Sequence, residues 1–334
     1  MKSHSIRVGI VIGDPAGIGP EVALKAVSEL DGIDNIIPIV IGRYEVLVRH
    51  YPDLVQGYRL WDYKRDTPSD ILDDHNYIYN ICLDLPIPTP GKGNIYTGIE
   101  SIKYIDKAIE LWRCGTLDSI VTGPVNKGLI EKSGCRFTGH TEYIAESIQE
   151  KNPYMMMYSK DYRVMLVTTH IPVSGITERI DSEKIYNTII AGHRAISRID
   201  GKEVRIAITG LDPHCGDRGA IGNFDMNVTE KAVSMAKSDG INIEGPFAAD
   251  TLFLPERWRS YNLVIAQYHD QGLIPFKTLT FDTGVNVTMG LSIIRTSVAH
   301  GTAYDIAGKG CAKYKSMIEA ITLAYLLAEN KSTI

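Results

Sequence analysis

Residues 162–210 read YRVMLVTTH (162–170), then SEKIYNTIIAGHRAISRI (182–199), then VRIAITG (204–210). The first and third pieces are apolar runs rich in β-branched residues, which is typical of strands buried on both faces. The middle piece repeats its apolar residues at helical spacing. A strand, a helix and another strand in succession indicate two parallel strands joined by a helical crossover.

The same alternation extends over most of the chain. We therefore predict an α/β fold with a mostly parallel sheet covered by helices. Because no flexible linker is recognisable, a two-domain arrangement would have to share a sheet or cross over more than once. The further strand-like runs lie at 6–13, 36–42, 118–123 and 263–269, and the further helical patterns at 20–30, 96–115 and 227–240.

Composition restricts the class of protein. The 334 residues suffice for one large or two moderate domains, and 44% hydrophobic residues are ordinary for a globular core. A net charge of -5 argues against nucleic acid as a partner, since such proteins usually carry a basic field. The five scattered cysteines and the lack of any apolar stretch of about 20 residues predict a reduced, cytoplasmic protein outside the membrane.

Three histidines follow apolar runs at equivalent positions. His170 ends VMLVTTH, His214 lies in RIAITGLDPH, and His269 ends NLVIAQYH. Open α/β sheets bind ligands beyond the carboxyl ends of their strands. A hydrogen-bonded loop histidine is the alternative for any one of them, but the set predicts a divalent-metal site.

Two glycine-containing turns are candidates for anion binding. GDPAGIGPE (13–21) follows a strand and opens a helix, as phosphate-binding turns do, although it matches neither the dinucleotide-binding nor the P-loop pattern. In FTGHTEY (137–143), His140 and Thr141 would open a helix whose backbone N–H groups favour a phosphate or carboxylate. A structural turn and a simple Thr141 cap remain the alternatives.

Two further segments carry polar groups of interest. LDPHCGDRGAIG (211–222) is too charged for a core element, and its Asp212 or Asp217 could orient a ligating imidazole. Lys277, Asn286 and Arg295 stand among apolar residues, where a lysine and an arginine fork would suit an anionic substrate.

Taken together, these motifs resemble the 4-hydroxythreonine-4-phosphate dehydrogenase family over nearly the whole chain. The resemblance implies two α/β domains with a cleft between them, isocitrate/isopropylmalate dehydrogenase-like, and a homodimer with active sites at the subunit boundary. We expect a discontinuous first domain of residues 1–125 and 275–334. The second, residues 126–274, would carry the dimer interface. The matching motifs are GDPAGIGPE, GPVNK, TGHTE, TTH, DPHCGD, GPFAADTLF, YHDQG, GVNVTMG and IRTSVAHGTA.

The resemblance also implies roles for individual residues. The metal ligands would be His170, His214 and His269, not necessarily all from one subunit. The substrate would be held by His140, Thr141, Lys277, Asn286 and Arg295. Lys277 and Asp250 are the candidates for proton transfer, and no residue is assigned to the nicotinamide cofactor. Three imidazoles favour zinc, with cobalt, manganese or magnesium as alternatives, and NAD over NADP is not fixed.

The implied reaction is NAD- and metal-dependent oxidation of a 4-phosphorylated hydroxy acid, followed by decarboxylation. The leading substrate is 4-phosphohydroxy-L-threonine, in pyridoxine biosynthesis. The alternative is 4-phospho-D-threonate or 4-phospho-D-erythronate in sugar-acid catabolism, because four residues near the site depart from the family pattern. A metal-dependent hydrolase and a non-catalytic sugar-phosphate-binding regulator are more distant alternatives. The departures are Asp212, Cys215, Arg218 and Ala299.

Overall fold

The computed structural model describes residues 5–30, 33–61, 75–201 and 203–330. It confirms an α/β chain in which helices alternate with mostly parallel strands. The chain divides into two compact units, residues 1–153 with 291–329 and residues 154–290 with 330–334. The divisions therefore lie near residues 153 and 290, whereas we expected them from the sequence near 125 and 275.

The first unit is built on a parallel sheet in the order β3-β4-β2-β1-β5-β12, numbered along the whole chain. Its central strands are buried on both faces, which explains their continuous apolar sequence. The strands are β1 Ile6–Val11, β2 Ile36–Gly42, β3 Tyr58–Trp61, β4 Asn76–Asn80, β5 Ser119–Thr122 and β12 Ile294–Val298. The helices are α1 Gly19–Ser28, α2 Tyr44–His50, α3 Ile95–Arg113, α4 Lys127–Lys132, α5 His140–Ser147 and α12 Lys315–Glu329.

The second unit carries strands in the order β11-β6-β7-β10-β8-β9. β6 is antiparallel to both neighbours, while β7, β10, β8 and β9 are parallel. The strands are β6 Tyr154–Tyr158, β7 Arg163–Leu166, β8 Ile206–Thr209, β9 Ile243–Phe247, β10 Leu263–Ala266 and β11 Val285–Met289. The helices are α6 Ile176–Arg179, α7 Ser182–Asp200, α8 Glu230–Ser238, α9 Ala249–Leu252, α10 Pro255–Trp258 and α11 His269–Thr280.

Helix ends follow local chemistry. Asn94 caps α3 by accepting hydrogen bonds from the N–H groups of Tyr96 and Thr97, and its own backbone N–H donates to the hydroxyl of Thr97. Asp181 caps α7 through the N–H of Lys184. Within the described residues, no helix combines the length and apolar character needed to cross a bilayer.

Candidate functional site

The three predicted metal ligands all belong to the second unit, at the carboxyl ends of neighbouring parallel strands. His170 lies four residues after the end of β7, and His214 five residues after the end of β8. His269 is not in a loop, as its position after an apolar run suggested, but is the first residue of α11. The parallel pairing of β7 with β10 and of β10 with β8 explains why all three residues reach the same edge.

Two of the three imidazoles share a cavity. The ring centroids of His170 and His269 are 5.6 Å apart. Both rings line a cavity of about 210 Å³, whose walls combine apolar side chains with one carboxylate. The other lining residues are Thr169, Ile171, Val173, Ile176, Tyr268 and Asp270.

Asp270 orients one of these imidazoles. Its Oδ1 lies 2.7 Å from Nδ1 of His269. Because a carboxylate can only accept a hydrogen bond, the proton belongs on Nδ1, and Nε2 keeps its lone pair. This is how proteins commonly prepare a histidine to bind a metal. We expected this role for Asp212 or Asp217, but neither side chain hydrogen-bonds a histidine in the described structure. The adjacent His-Asp pair in YHDQG was the signal for Asp270.

His214 lies in a left-handed turn. Residues 214–218 all have positive φ, from 44° at Asp217 to 78° at Gly216, with His214 itself at 53°. For residues other than glycine this conformation costs about 1–2 kcal/mol each, and it normally occurs at single positions. Four of these five residues are not glycine, so the surrounding structure must hold them in this conformation. Sites of such strain are often functional.

Close packing of glycines provides part of this support. A Cβ at Gly216 would come within 2.1 Å of the carbonyl oxygen of Gly222. A Cβ at Gly210 would come within 2.7 Å of Sγ of Cys215, and one at Gly222 within 2.1 Å of Oδ2 of Asp212. The contact at Gly216 is with backbone, which cannot move aside, so the turn in this form requires glycine there. At Gly210 and Gly222 the short contacts are with the side chains of Cys215 and Asp212.

A buried carboxylate also supports the turn. Asp225 is fully buried and accepts hydrogen bonds from the N–H groups of Leu211 and Asp212 at 2.9 and 3.0 Å. The hydroxyl of Thr229 donates to it at 2.7 Å. These bonds anchor the chain immediately before His214. Asp225 could not be predicted from the sequence, because its anchoring role depends on contacts across the loop.

Asp250, a candidate for proton transfer, lies on α9 and is exposed. Its charge acts on the neighbouring turn. Burial raises the pKa of the Cys215 thiol to about 11, with smaller contributions from Asp225 and Asp250. Asp250 is therefore close enough to the His214 turn to influence it electrostatically.

The three histidines do not form a complete ligand set in one chain. Among the residues that the structure describes, no group of three or more His, Cys, Asp or Glu side chains is arranged to hold a metal ion. The cavity that contains His170 and His269 is not lined by His214, which is exposed on its own turn. The predicted ligation by all three thus stays a prediction.

Arg295 forms the centre of a separate polar site in the first unit. It lies on β12 with only 2% of its surface exposed. Nε and one terminal nitrogen donate to the hydroxyl of Thr122 at 3.0 and 2.7 Å, and the other nitrogen to Thr141 at 3.4 Å. Burial lowers the pKa of the guanidinium to about 9, so the group is still a cation at pH 7.

His140 faces this arginine. It is the first residue of α5, after Gly139 at the cap position, so Thr141 is not the cap. Its ring packs edge-on against Phe137, and Nε2 is buried with no hydrogen-bond partner among the described residues. Burial, then the charges of Arg295 and Lys127, hold the pKa of His140 well below its usual range. A neutral imidazole with an unused nitrogen beside a buried guanidinium suits an oxyanion ligand.

Lys277 and Asn286 belong to the second unit. Lys277 is exposed on α11, about two turns beyond His269. Asn286 is on β11, where its Oδ1 is buried without a hydrogen-bond partner among the described residues. A buried unsatisfied amide oxygen is costly, and a ligand donor would relieve that cost.

The GDPAGIGPE turn is closed by its own aspartate. Asp14 is fully buried and accepts hydrogen bonds from the hydroxyl of Tyr304 at 2.6 Å and the N–H of Ala16 at 2.9 Å. Burial raises its pKa, although these bonds and one from Thr97 act in the opposite direction. The Asp14 side chain therefore ties the turn to the segment after β12.

Comparisons with known proteins point to one family. The family model described as pyridoxal phosphate biosynthetic protein PdxA matches residues 34–324. A 4-hydroxythreonine-4-phosphate dehydrogenase from Desulforapulum autotrophicum is 38% identical, covering 98% of this chain and 97% of the relative. A protein from Oceanobacillus iheyensis, named as a candidate D-threonate 4-phosphate dehydrogenase, is 37% identical over 97% of this chain and 98% of its own.

The solved structures lead to the same family. That of 4-hydroxythreonine-4-phosphate dehydrogenase from Klebsiella pneumoniae superposes with a TM-score of 0.83 at 32% identity. The match covers 97% of this chain and 100% of that one. The family model, the relatives and the solved structure each match most of the chain, and all three lead to the same conclusion. The chain belongs to the PdxA family of pyridoxal phosphate biosynthetic proteins.

Proposed function

We propose that this protein is a nicotinamide- and metal-dependent dehydrogenase whose substrate is a 4-phosphorylated hydroxy acid, with 4-phosphohydroxy-L-threonine as the leading candidate. The observation that carries the proposal is the pairing of His170 with an oriented His269 in one cavity. The buried Arg295 supports an anionic substrate, together with His140, whose Nε2 has no hydrogen-bond partner among the described residues. Relatives over the full chain are named dehydrogenases of phosphorylated four-carbon acids.

The donor set fits a divalent metal. His170, His269 and His214 would hold it through neutral imidazole nitrogens, which suits zinc, with cobalt, manganese or magnesium as alternatives. Such an ion would lower the pKa of the substrate hydroxyl and polarise the ketone that oxidation produces. Hydride would pass to the nicotinamide of NAD, and decarboxylation would follow.

The chain's own side chains have distinct tasks in this proposal. Asp270 keeps His269 in the tautomer that leaves Nε2 available. Arg295, with His140 and Thr141, would bind the phosphate or the carboxylate, and Asn286 would accept a hydrogen bond from the substrate. Lys277 and Asp250 remain the candidates for proton transfer, because both are exposed and charged on elements of the unit that carries the histidines.

The proposal includes a homodimer. The ligand set would be completed across the subunit boundary, with two α/β domains around a cleft in each subunit, as in isocitrate and isopropylmalate dehydrogenases. The distribution of exposed apolar side chains supports this. Five large apolar side chains are more than half exposed among the described residues, and all five lie in the second unit: Val173, Ile221, Leu254, Ile274 and Phe281.

A substrate panel tests the reaction. Purified protein with NAD and added Zn²⁺ or Co²⁺ is given 4-phosphohydroxy-L-threonine, 4-phospho-D-threonate and 4-phospho-D-erythronate, and NADH formation is followed. We expect kcat/KM to be highest for the first. A clear preference for 4-phospho-D-threonate or 4-phospho-D-erythronate would instead assign the protein to sugar-acid catabolism. Phosphate release without NAD would support a hydrolase.

The His214→Ala variant in the same assay tests the metal assignment. The variant should lose most of its turnover and bind metal at least tenfold more weakly. Losing a residue that only supports a ligand typically costs about 10–100-fold in metal affinity, and losing a ligand should cost no less. Turnover close to that of the wild type, with metal present, would remove His214 from the ligand set.

A further inference from the structure

Two glutamines on either side of His269 join the strand ends that carry the three histidines. Gln267 precedes α11, and Gln271 is in its first turn. Gln267 is fully buried and Gln271 half-buried. Both side chains hydrogen-bond to β8 or to the residue that follows it, not to solvent.

Gln267 connects the end of β10 to both neighbouring strand ends. Its side-chain Nε2 donates to the carbonyl oxygen of Thr209 at 2.8 Å, on the strand that leads to His214. Its own carbonyl oxygen accepts the hydroxyl of Thr168 at 2.8 Å, two residues before His170. One residue thus contacts the segments leading to all three histidines.

Gln271 closes the same network from the helix. Its Oε1 accepts the backbone N–H of Gln267 at 2.8 Å and the hydroxyl of Thr209 at 2.7 Å. Its Nε2 donates to the carbonyl oxygen of Gly210 at 2.8 Å. Gly210 is the residue against which Cys215 packs, so the bond reaches the base of the left-handed turn that carries His214.

We propose that Gln267 and Gln271 are positioning residues that hold the three histidine-bearing strand ends of each chain in place, and so set the metal affinity of the sites to which those histidines contribute. The inference rests on the proposed function, because it assumes that these histidines are ligands. The side chains that bind a metal must be held to within about half an ångström of their proper positions. Hydrogen bonds between the backbone segments that carry them provide this precision. Neither glutamine is assigned to contact substrate or metal.

A purely structural role explains the network less well. Oε1 of Gln267 is buried with no hydrogen-bond partner among the described residues. An unsatisfied buried acceptor is unfavourable, whereas an apolar side chain of similar volume would avoid that cost. The glutamine at this position is therefore better explained by the link that its Nε2 makes to Thr209 than by a contribution to the stability of the fold.

The experiment uses full-length Gln271→Met and Thr209→Val. The first removes three hydrogen bonds at nearly constant volume, and the second removes the hydroxyl that bonds Gln271. Co²⁺ and Zn²⁺ affinities are measured by titration against a chelator, with the visible absorption of bound Co²⁺ as a second signal. Hydrogen exchange at residues 211–219 is followed without metal. Thr188→Val is the matched control, since it loses one buried hydrogen bond within α7 of the same unit.

We expect Gln271→Met to bind metal at least tenfold more weakly and Thr209→Val to show a smaller loss. Exchange at residues 211–219 should be faster in both, and turnover should recover when metal is in large excess. Thr188→Val should keep the wild-type affinity. Thr209→Val removes a single hydroxyl, which bonds Gln271 and the carbonyl oxygen of Ile265, and leaves Gln271 in place. It therefore retains the test if Gln271→Met does not fold.

Two results would overturn the inference, and they differ in what else they affect. Unchanged metal affinity in both variants, beside lost affinity in His214→Ala, would show that the network is only structural while the metal site stands. A wild-type protein that binds neither ion would overturn the metal assignment itself, and this inference with it.

Discussion

His140 shows how surroundings determine the chemistry of a single residue. Its ring lies against Phe137 and faces two cations, Arg295 and Lys127. Burial is the largest cause of its lowered pKa, and the two charges add to it. The folded protein therefore keeps a neutral imidazole at a pH where the same side chain in the unfolded chain is protonated, near its ordinary pKa of about 6.5.

The pH dependence of stability follows from this difference. Below about pH 6.5 the unfolded chain binds the extra proton, so the free energy of unfolding should fall as pH decreases, while above that value the contribution is fully present. In His140→Gln the slope should flatten by up to about 1.4 kcal/mol per pH unit. Urea unfolding at pH 7.5, 6.5 and 5.5 measures it.

His193→Gln is the comparison for this measurement. Burial and the charge of Arg194 lower the pKa of His193, but its side chain is less enclosed. The flattening in this variant should be smaller than in His140→Gln. Equal slopes in wild type and His140→Gln would mean that His140 titrates alike in both states.

The left-handed turn at residues 214–218 carries His214, one of the three proposed metal ligands. It is held by Asp225 and by the close approach of Gly216 to Gly222. A short charged loop is usually among the less stable parts of a fold. In this loop, the hydrogen bonds of buried Asp225 and the close contact of Gly216 with Gly222 fix the backbone conformation at His214.

Gly216→Ala tests that claim. The new methyl group would lie 2.1 Å from the Gly222 carbonyl oxygen, and φ is +78°. We expect the free energy of unfolding to fall by more than the roughly 1–2 kcal/mol of a left-handed alanine alone. Metal affinity should fall as well, because His214 would be displaced.

Gly240→Ala provides the matched control. Its φ is +83°, but no atom lies within 4 Å of the added methyl group. It should show only the conformational cost and leave metal affinity unchanged. If the two variants lose the same stability and both keep their metal affinity, close packing does not hold the turn.

For the whole molecule, the distribution of exposed apolar surface is the informative feature. Val173 lines the cavity of His170 and His269, and Ile274 and Phe281 lie on or just after α11, which His269 begins. Phe281 and Val173 are each 74% exposed. Exposed large apolar groups near a candidate site are often covered by another chain.

Phe281→Asp should therefore convert the proposed dimer to a monomer and, if the ligands come from two subunits, weaken metal binding in the same step. Light scattering after size exclusion measures the mass, and chelator competition measures the metal. Leu60→Asp is the control, since Leu60 is 44% exposed but lies in the first unit. A wild-type monomer, or a Phe281→Asp dimer with unchanged metal affinity, would contradict the proposal.

Several elements were predictable because their causes are local. Runs such as YRVMLVTTH and VRIAITG are strands in the structure, shortened to Arg163–Leu166 and Ile206–Thr209. The cap of α7 is Asp181, not its polar neighbour Ser182. The sequence alone does not distinguish these two adjacent candidates. The α/β class itself follows from alternating periods of apolar residues.

The sequence by itself determined the α/β class, the strand-end positions of His170, His214 and His269, and membership of the PdxA family, because apolar periodicity and short motifs lie in consecutive residues. Only the tertiary structure decided which groups act together. The bond between Arg295 and Thr122 joins residues 173 positions apart, and the bond of Gln271 to Gly210 joins residues 61 apart. Such pairings depend on how strands assemble, so no local pattern encodes them.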